Sequence, residues 1–227
     1  MFTPKNDYPL RLRRAFTLTE MLVAMAIVAI LATILIPAIS SALQRSRSVT
    51  SISNMKQIGV AATLFSQDRN GSIPSAWDAA NSRSWMQQLQ AYELAYKESQ
   101  DYMFCPLMVS KNASDNTTKV TSYAMNNQIG DRTGKKAWEG INTIFQCVNP
   151  SDTALLFNSF YHSGGTSWKF SATSNQSSNL VIPADGESVY VLFLDGSVQA
   201  IPATDGRLPG GTDEVDADKR KLFWNGR

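Results

Sequence analysis

A carboxylate stands at the head of a long apolar run. Residues Arg13-Arg14-Ala15-Phe16-Thr17-Leu18-Thr19-Glu20 lead directly into Met21–Ile39, 19 residues without a charge. An acidic side chain at the centre of a bilayer costs roughly 2.5 to 3.5 kcal/mol, and less toward the interface, so a Glu in this position calls for a partner. Hydrolysis of the Ala15–Phe16 peptide bond would create one. The new α-ammonium of Phe16 lies four residues from Glu20 and so on the same helical face. The same ammonium on a neighbouring copy would serve equally well. The chemistry suggested is performed on the chain rather than by it.

The other reactive side chains point less clearly. The sole histidine, His162, sits in Tyr-His-Ser-Gly-Gly without a nucleophile elbow or a zinc motif around it, and reads as a loop residue. Cys105 and Cys147 are too few and too far apart for a zinc ribbon or a redox CxxC pair. In an oxidising compartment they could close a loop of about 42 residues, worth on the order of 3 to 4 kcal/mol by the chain-entropy argument; two reduced thiols is the alternative. Asp213, Asp216 and Asp218 cluster in an acidic stretch of the oxygen-donor type that calcium prefers, but without EF-hand spacing. A solvated loop is the ordinary reading, and these three are the first candidates if a cation binds. Lys135-Lys136 beside Trp138 is a small basic and aromatic patch, short of a nucleic-acid surface.

Composition agrees. The formal charge of +2 comes from the first fifteen residues, where Lys5, Arg11, Arg13 and Arg14 face only Asp7. Without them, 21 Lys and Arg fall by four to 17 and 19 Asp and Glu fall by one to 18, leaving about −1 and no global attraction for phosphate. No enzyme, no cofactor and no nucleic-acid partner is expected.

These residues need elements to position them. Met21–Ile39 as a helix spans about 30 Å, the thickness of a hydrocarbon core. Alanines at 24, 26, 29 and 32 allow close backbone approach between helices in lipid. Pro37 removes one backbone donor, so a kink or loosened turn is expected, with the Thr33 hydroxyl available to the freed group. Beyond it, Val49, Ile52, Met55, Ala62 and Phe65 recur at helical spacing, with Arg45, Arg47, Lys56 and Gln57 elsewhere on the wheel. This predicts one helix to about Ser66, stopped by Asp68-Arg69-Asn70-Gly71. A short helix is predicted over 84–96. Strands are predicted over 154–161, 189–194 and 197–201, the last two joined at Asp195-Gly196 with both turn residues at positive φ. The fold class is α+β, with a long N-terminal helix packed on a domain with an antiparallel sheet.

A small residue, then Phe-Thr-Leu-x-Glu, then about twenty apolar residues, resembles the cleavage and methylation signature of type IV pilins and type II secretion pseudopilins. Pro37, the twenty-second residue counted from Phe16, matches a proline common in the pilin helix; Ala15 stands where the family usually has Gly. The resemblance implies a pilin-like fold and a prepilin peptidase that cuts between Ala15 and Phe16 and methylates the Phe16 amine. It implies docking through Glu20, with other copies, related pilins and an inner-membrane assembly platform as partners. It also implies a protein held in the bacterial inner membrane by one span, its C-terminal domain periplasmic before filament assembly. The corresponding divisions are a leader over 1–15, an assembly half-helix over 16–39, an amphipathic half over 40–70 and a globular domain over 71–227.

Farther on, Asp185, nine residues and Asp195-Gly196 resemble the His-x9-Asp-Gly signature of a group of bacterial pseudopilin-like proteins, with Asp185 in the His position. Phe104-Cys105-Pro106 and Ser122-Tyr123-Ala124-Met125-Asn126 resemble further phrases of that group. Major pseudopilins bind calcium in a C-terminal loop, which bears on Asp213, Asp216 and Asp218. The alternatives are a secretory signal cut near Ser40-Ser41-Ala42, an uncleaved anchor for a periplasmic binding domain that never polymerises, and a DNA-uptake pilin.

Overall fold

The computed structural model describes residues 17–78, 80–92, 106, 123–130, 140–158, 171–172, 187–208 and 213–227. The chain divides into two compact units, Met1–Leu43 and Gln44–Arg227.

Helix α1 runs from Leu18 to Asp68 and contains Pro37. Every described residue of its first unit is exposed or, at Ala32, half-exposed. The expected loosening at Pro37 does not interrupt the helix, and the Thr33 hydroxyl behaves differently from expectation. It donates to the carbonyls of Ile30 (2.6 Å) and Ala29 (3.2 Å), as Ser40 donates to Pro37 and Ser41 to Ala38. Hydroxyls near the proline therefore bond to the preceding turn, which hides their polarity within the helix surface.

In the second unit, α1 buries Met55, Ile58, Ala61, Ala62 and Phe65, with Ile52 packed against them. Val49, expected in this stripe, points outward, and Ile58 and Ala61 belong in it. Gly59 permits the close approach, since a Cβ there would sit 3.1 Å from Leu192 Cδ1. The helix ends two residues later than expected. Asn70 (φ 51°) and Gly71 (φ 78°) turn the chain into the left-handed region while Gly71 N–H bonds to Ser66 O at 2.7 Å, a helix stop of the predicted kind.

After α1 come a small hairpin of β1 (Trp77–Asp78) and β2 (Arg83–Ser84), and helix α2 (Trp85–Leu89), which passes into a 3₁₀ turn over Gln90–Tyr92. This replaces the first part of the single helix expected over 84–96, whose end lies outside the described residues. Ser84 and Gln87 start α2 as a capping box.

The main sheet has the order β5-β3-β4-β6-β7, formed by β3 (Tyr123–Asn126), β4 (Ala154–Asn158), β5 (Ser171–Ala172), β6 (Ser188–Phe193) and β7 (Val198–Pro202). Four strands pair antiparallel as expected, and β5 joins β3 in parallel. The strand predicted over 154–161 is described to Asn158. On β6 the alternation is clean: Tyr190 and Leu192 face the α1 cluster, whereas Val189, Val191 and Phe193 face a second cluster with Phe223 and Trp224. Those last two residues lie on helix α3 (Ala217–Asn225), which the sequence reading did not anticipate. A helix on each face explains why β3, β4 and most of β6 are buried throughout rather than alternately.

The hairpin β6–β7 is present with a different turn. Only Gly196 takes positive φ (84°); its N–H bonds to Phe193 O at 3.0 Å, Ser197 O accepts from Phe193 N–H at 2.9 Å, and Asp195 Oδ1 accepts from Ser197 N–H at 2.8 Å. This is a type I turn closed by a glycine bulge, in which Asp195 acts through its side chain and needs no left-handed backbone.

Candidate processing and assembly site

The N-terminal end of α1 is built by Thr17 and Glu20. The helix begins at Leu18, so Thr17 occupies the N-cap and Glu20 the third helical position. Thr17 Oγ1 accepts from Glu20 N–H at 3.3 Å, and Glu20 Oε2 accepts from Thr17 N–H at 2.9 Å and from the Thr17 hydroxyl at 2.8 Å. That is a reciprocal capping box, which satisfies two backbone donors that a helix start otherwise leaves open. The anion also lies at the positive end of the helix dipole. Thr17 was not singled out from the sequence, although Thr-x-x-Glu ahead of an apolar run is the pattern that announces such a cap.

The box refines the question of what Glu20 bonds to. Its described partner is Thr17, one turn away, and only Oε2 is engaged; no described residue bonds Oε1. The backbone donor in the box belongs to Thr17. Scission between Ala15 and Phe16 would leave that amide intact, and so would add a positive group without dismantling the cap. Ala15 and Phe16 themselves lie outside the described residues.

Following this cap, α1 exposes large side chains around its whole circumference. Leu22 is 62% exposed, Ile30 62%, Ile34 69% and Ile36 68%. The helix is long and apolar enough to cross a membrane.

The remaining candidates fall elsewhere. Asp213 accepts from the Thr204 hydroxyl at 2.9 Å, and Asp216 caps α3 by accepting from Asp218 N–H at 3.0 Å. Two of the three aspartates thus have structural duties, and no metal-holding group of three His, Cys, Asp or Glu occurs among the described residues. Cys147 is half-buried, its Sγ 3.3 Å from Thr153 Oγ1, and it forms no disulfide with a described residue. Cys105, Lys135, Lys136, Trp138, His162 and Asp185 lie outside the described residues.

No curated protein and no solved structure matches the chain. A family match covers the start of α1 and does not reach Asp185–Gly196. Residues 10–36 match the family model of the prokaryotic N-terminal methylation motif, and the chain therefore carries a prepilin-type signature where its basic N-terminal residues meet its apolar helix.

Proposed function

We propose that this chain is a structural subunit of a type IV pilus-like or type II secretion pseudopilus filament, made as a prepilin, cut after Ala15 and N-methylated at Phe16. The observation that carries this reading is the contrast within α1. Its second unit buries a stripe against the sheet, while its first unit presents apolar side chains on all sides. Such a helix gains stability from lipid first and from the corresponding helices of other subunits later. The motif over 10–36 supplies the processing step, with a prepilin peptidase as the enzyme that performs it.

Glu20 then has two roles on its two oxygens. Oε2 holds the cap, and Oε1 remains for an ammonium, that of Phe16 in the same chain or in a neighbour. The basic leader stays on the cytoplasmic side, the domain from Gln44 onward is periplasmic, and assembly draws the protein from the inner membrane into the filament. No catalytic role is assigned to any residue of the chain.

Glu20→Ala tests the assembly role. Thr17 Oγ1 still caps the helix in this variant, so the precursor should be processed after Ala15, yet its incorporation into filaments should fall severely. Normal filament yield from processed Glu20→Ala protein would defeat the assignment.

A further inference from the structure

We propose that α1 carries a lipid-phosphate contact surface just beyond its apolar half, formed by Arg45 and Arg47 and occupied, before assembly, by anionic phospholipid headgroups. The inference rests on the membrane-anchored reading and names the chemistry that meets the helix where it leaves the hydrocarbon.

Three observations converge on these arginines. Both are exposed, and neither forms an ion pair with a described residue. Nor does α1 contain a carboxylate between Glu20 and Asp68, so the positive charge of Arg45, Arg47 and Lys56 is uncompensated along that stretch. Third, the first fully buried residue of α1 is Ser51, which leaves residues 44–50 without a packed face apart from half-buried Ser48.

Position and geometry select the occupant. At about 1.5 Å per residue, the 25 steps from Glu20 to Arg45 cover roughly 38 Å, against about 30 Å for a hydrocarbon core and 40 to 45 Å with both headgroup layers. With Glu20 in one headgroup layer, Arg45 and Arg47 fall in the other. Two residues apart on a helix, they project in nearly opposite directions, about 200° around the axis. One protein patch cannot meet both, whereas a headgroup layer surrounds the helix. Guanidinium groups bind phosphate oxygens in a fork, which suits phosphodiester headgroups. Lys56 lies eleven residues past Arg45, about 16 Å farther along and beyond the headgroup layer, and serves as the control.

The test uses the full mature chain in detergent micelles, with phosphatidylglycerol and phosphatidylcholine of identical acyl chains competing for it and retained lipid counted by native mass spectrometry. The wild type should prefer phosphatidylglycerol by about thirtyfold at low salt, a value set by two basic residues near an anionic surface. Arg45→Gln/Arg47→Gln should lose the preference with no change in thermal unfolding, since both side chains are exposed, while Lys56→Gln should keep it. Added inorganic phosphate should leave the lipid bound. Equal retention of both lipids by the wild type, an undiminished preference in the double variant, or displacement by inorganic phosphate would each overturn the proposal. Failure of the anchored reading is recognised separately: the protein would then be recovered from the cell in the soluble fraction, starting near Leu43.

Discussion

At the scale of single residues, Thr17 and Glu20 decide how α1 begins. Thr17→Val removes the hydroxyl that receives Glu20 N–H and should destabilise the helix start by about 1 kcal/mol, whereas Thr17→Ser should preserve it. Amide hydrogen exchange over residues 18–21 checks this, with faster exchange in the valine variant alone. A second residue-level pair is Asp205 with Arg207, whose carboxylate and guanidinium approach to 2.8 Å. Partial burial raises the Asp205 pKa, but hydrogen bonds from the Arg207 side chain and backbone, with its positive charge, outweigh that and hold it below the usual carboxylate value. A depressed folded pKa stabilises the native state above the unfolded value, about 4, and the contribution is lost as pH falls through the lower folded value. Denaturant unfolding of the wild type and Asp205→Asn should therefore show a gap at neutral pH that closes on acidification. A gap that widens toward acid would contradict the assignment.

At the scale of elements, α3 completes the second core cluster through Phe223 and Trp224. Trp224 stacks on Phe157 with ring centroids 5.1 Å apart, donates from Nε1 to Arg207 O at 2.7 Å, and lends its own carbonyl to Asn126 Nδ2 at 2.8 Å. Trp224→Ala should lower stability by about 3 to 5 kcal/mol, read as a reduced denaturant midpoint. Elements with an unambiguous period were legible from sequence: the apolar run, the stripe through Met55 and Phe65, and the two strands around Asp195-Gly196. What stayed hidden did so for identifiable reasons. Helix α3 reads as a charged segment, because Asp218, Lys219, Arg220 and Lys221 mask a core contribution confined to Phe223 and Trp224. Its Asp216 N-cap and left-handed Gly226 C-cap were the available signals. Val49 is outward although it keeps the period of the stripe, because a 3.6-residue period fixes a stripe but not where along the helix a packing partner starts. The cap at Thr17 is hidden behind the charge of Glu20, whose spacing from the Thr17 hydroxyl is the quieter of two signals at one residue.

At the scale of the whole molecule, the proposed function joins the basic N-terminal residues and α1 in one scheme. The first fifteen residues hold the basic excess, and their removal would bring the rest close to neutral while freeing an amine four residues from Glu20 in sequence. The unit from Gln44 onward has two apolar clusters, one on each face of its sheet. In the proposed function the apolar half of α1 suits its environment, lipid before assembly and neighbouring helices afterwards. The most direct test is the intact mass and N-terminal sequence of the protein recovered from the cell envelope. The account predicts a chain that starts at Phe16 with a methylated amine; recovery with Met1–Ala15 still attached would contradict it.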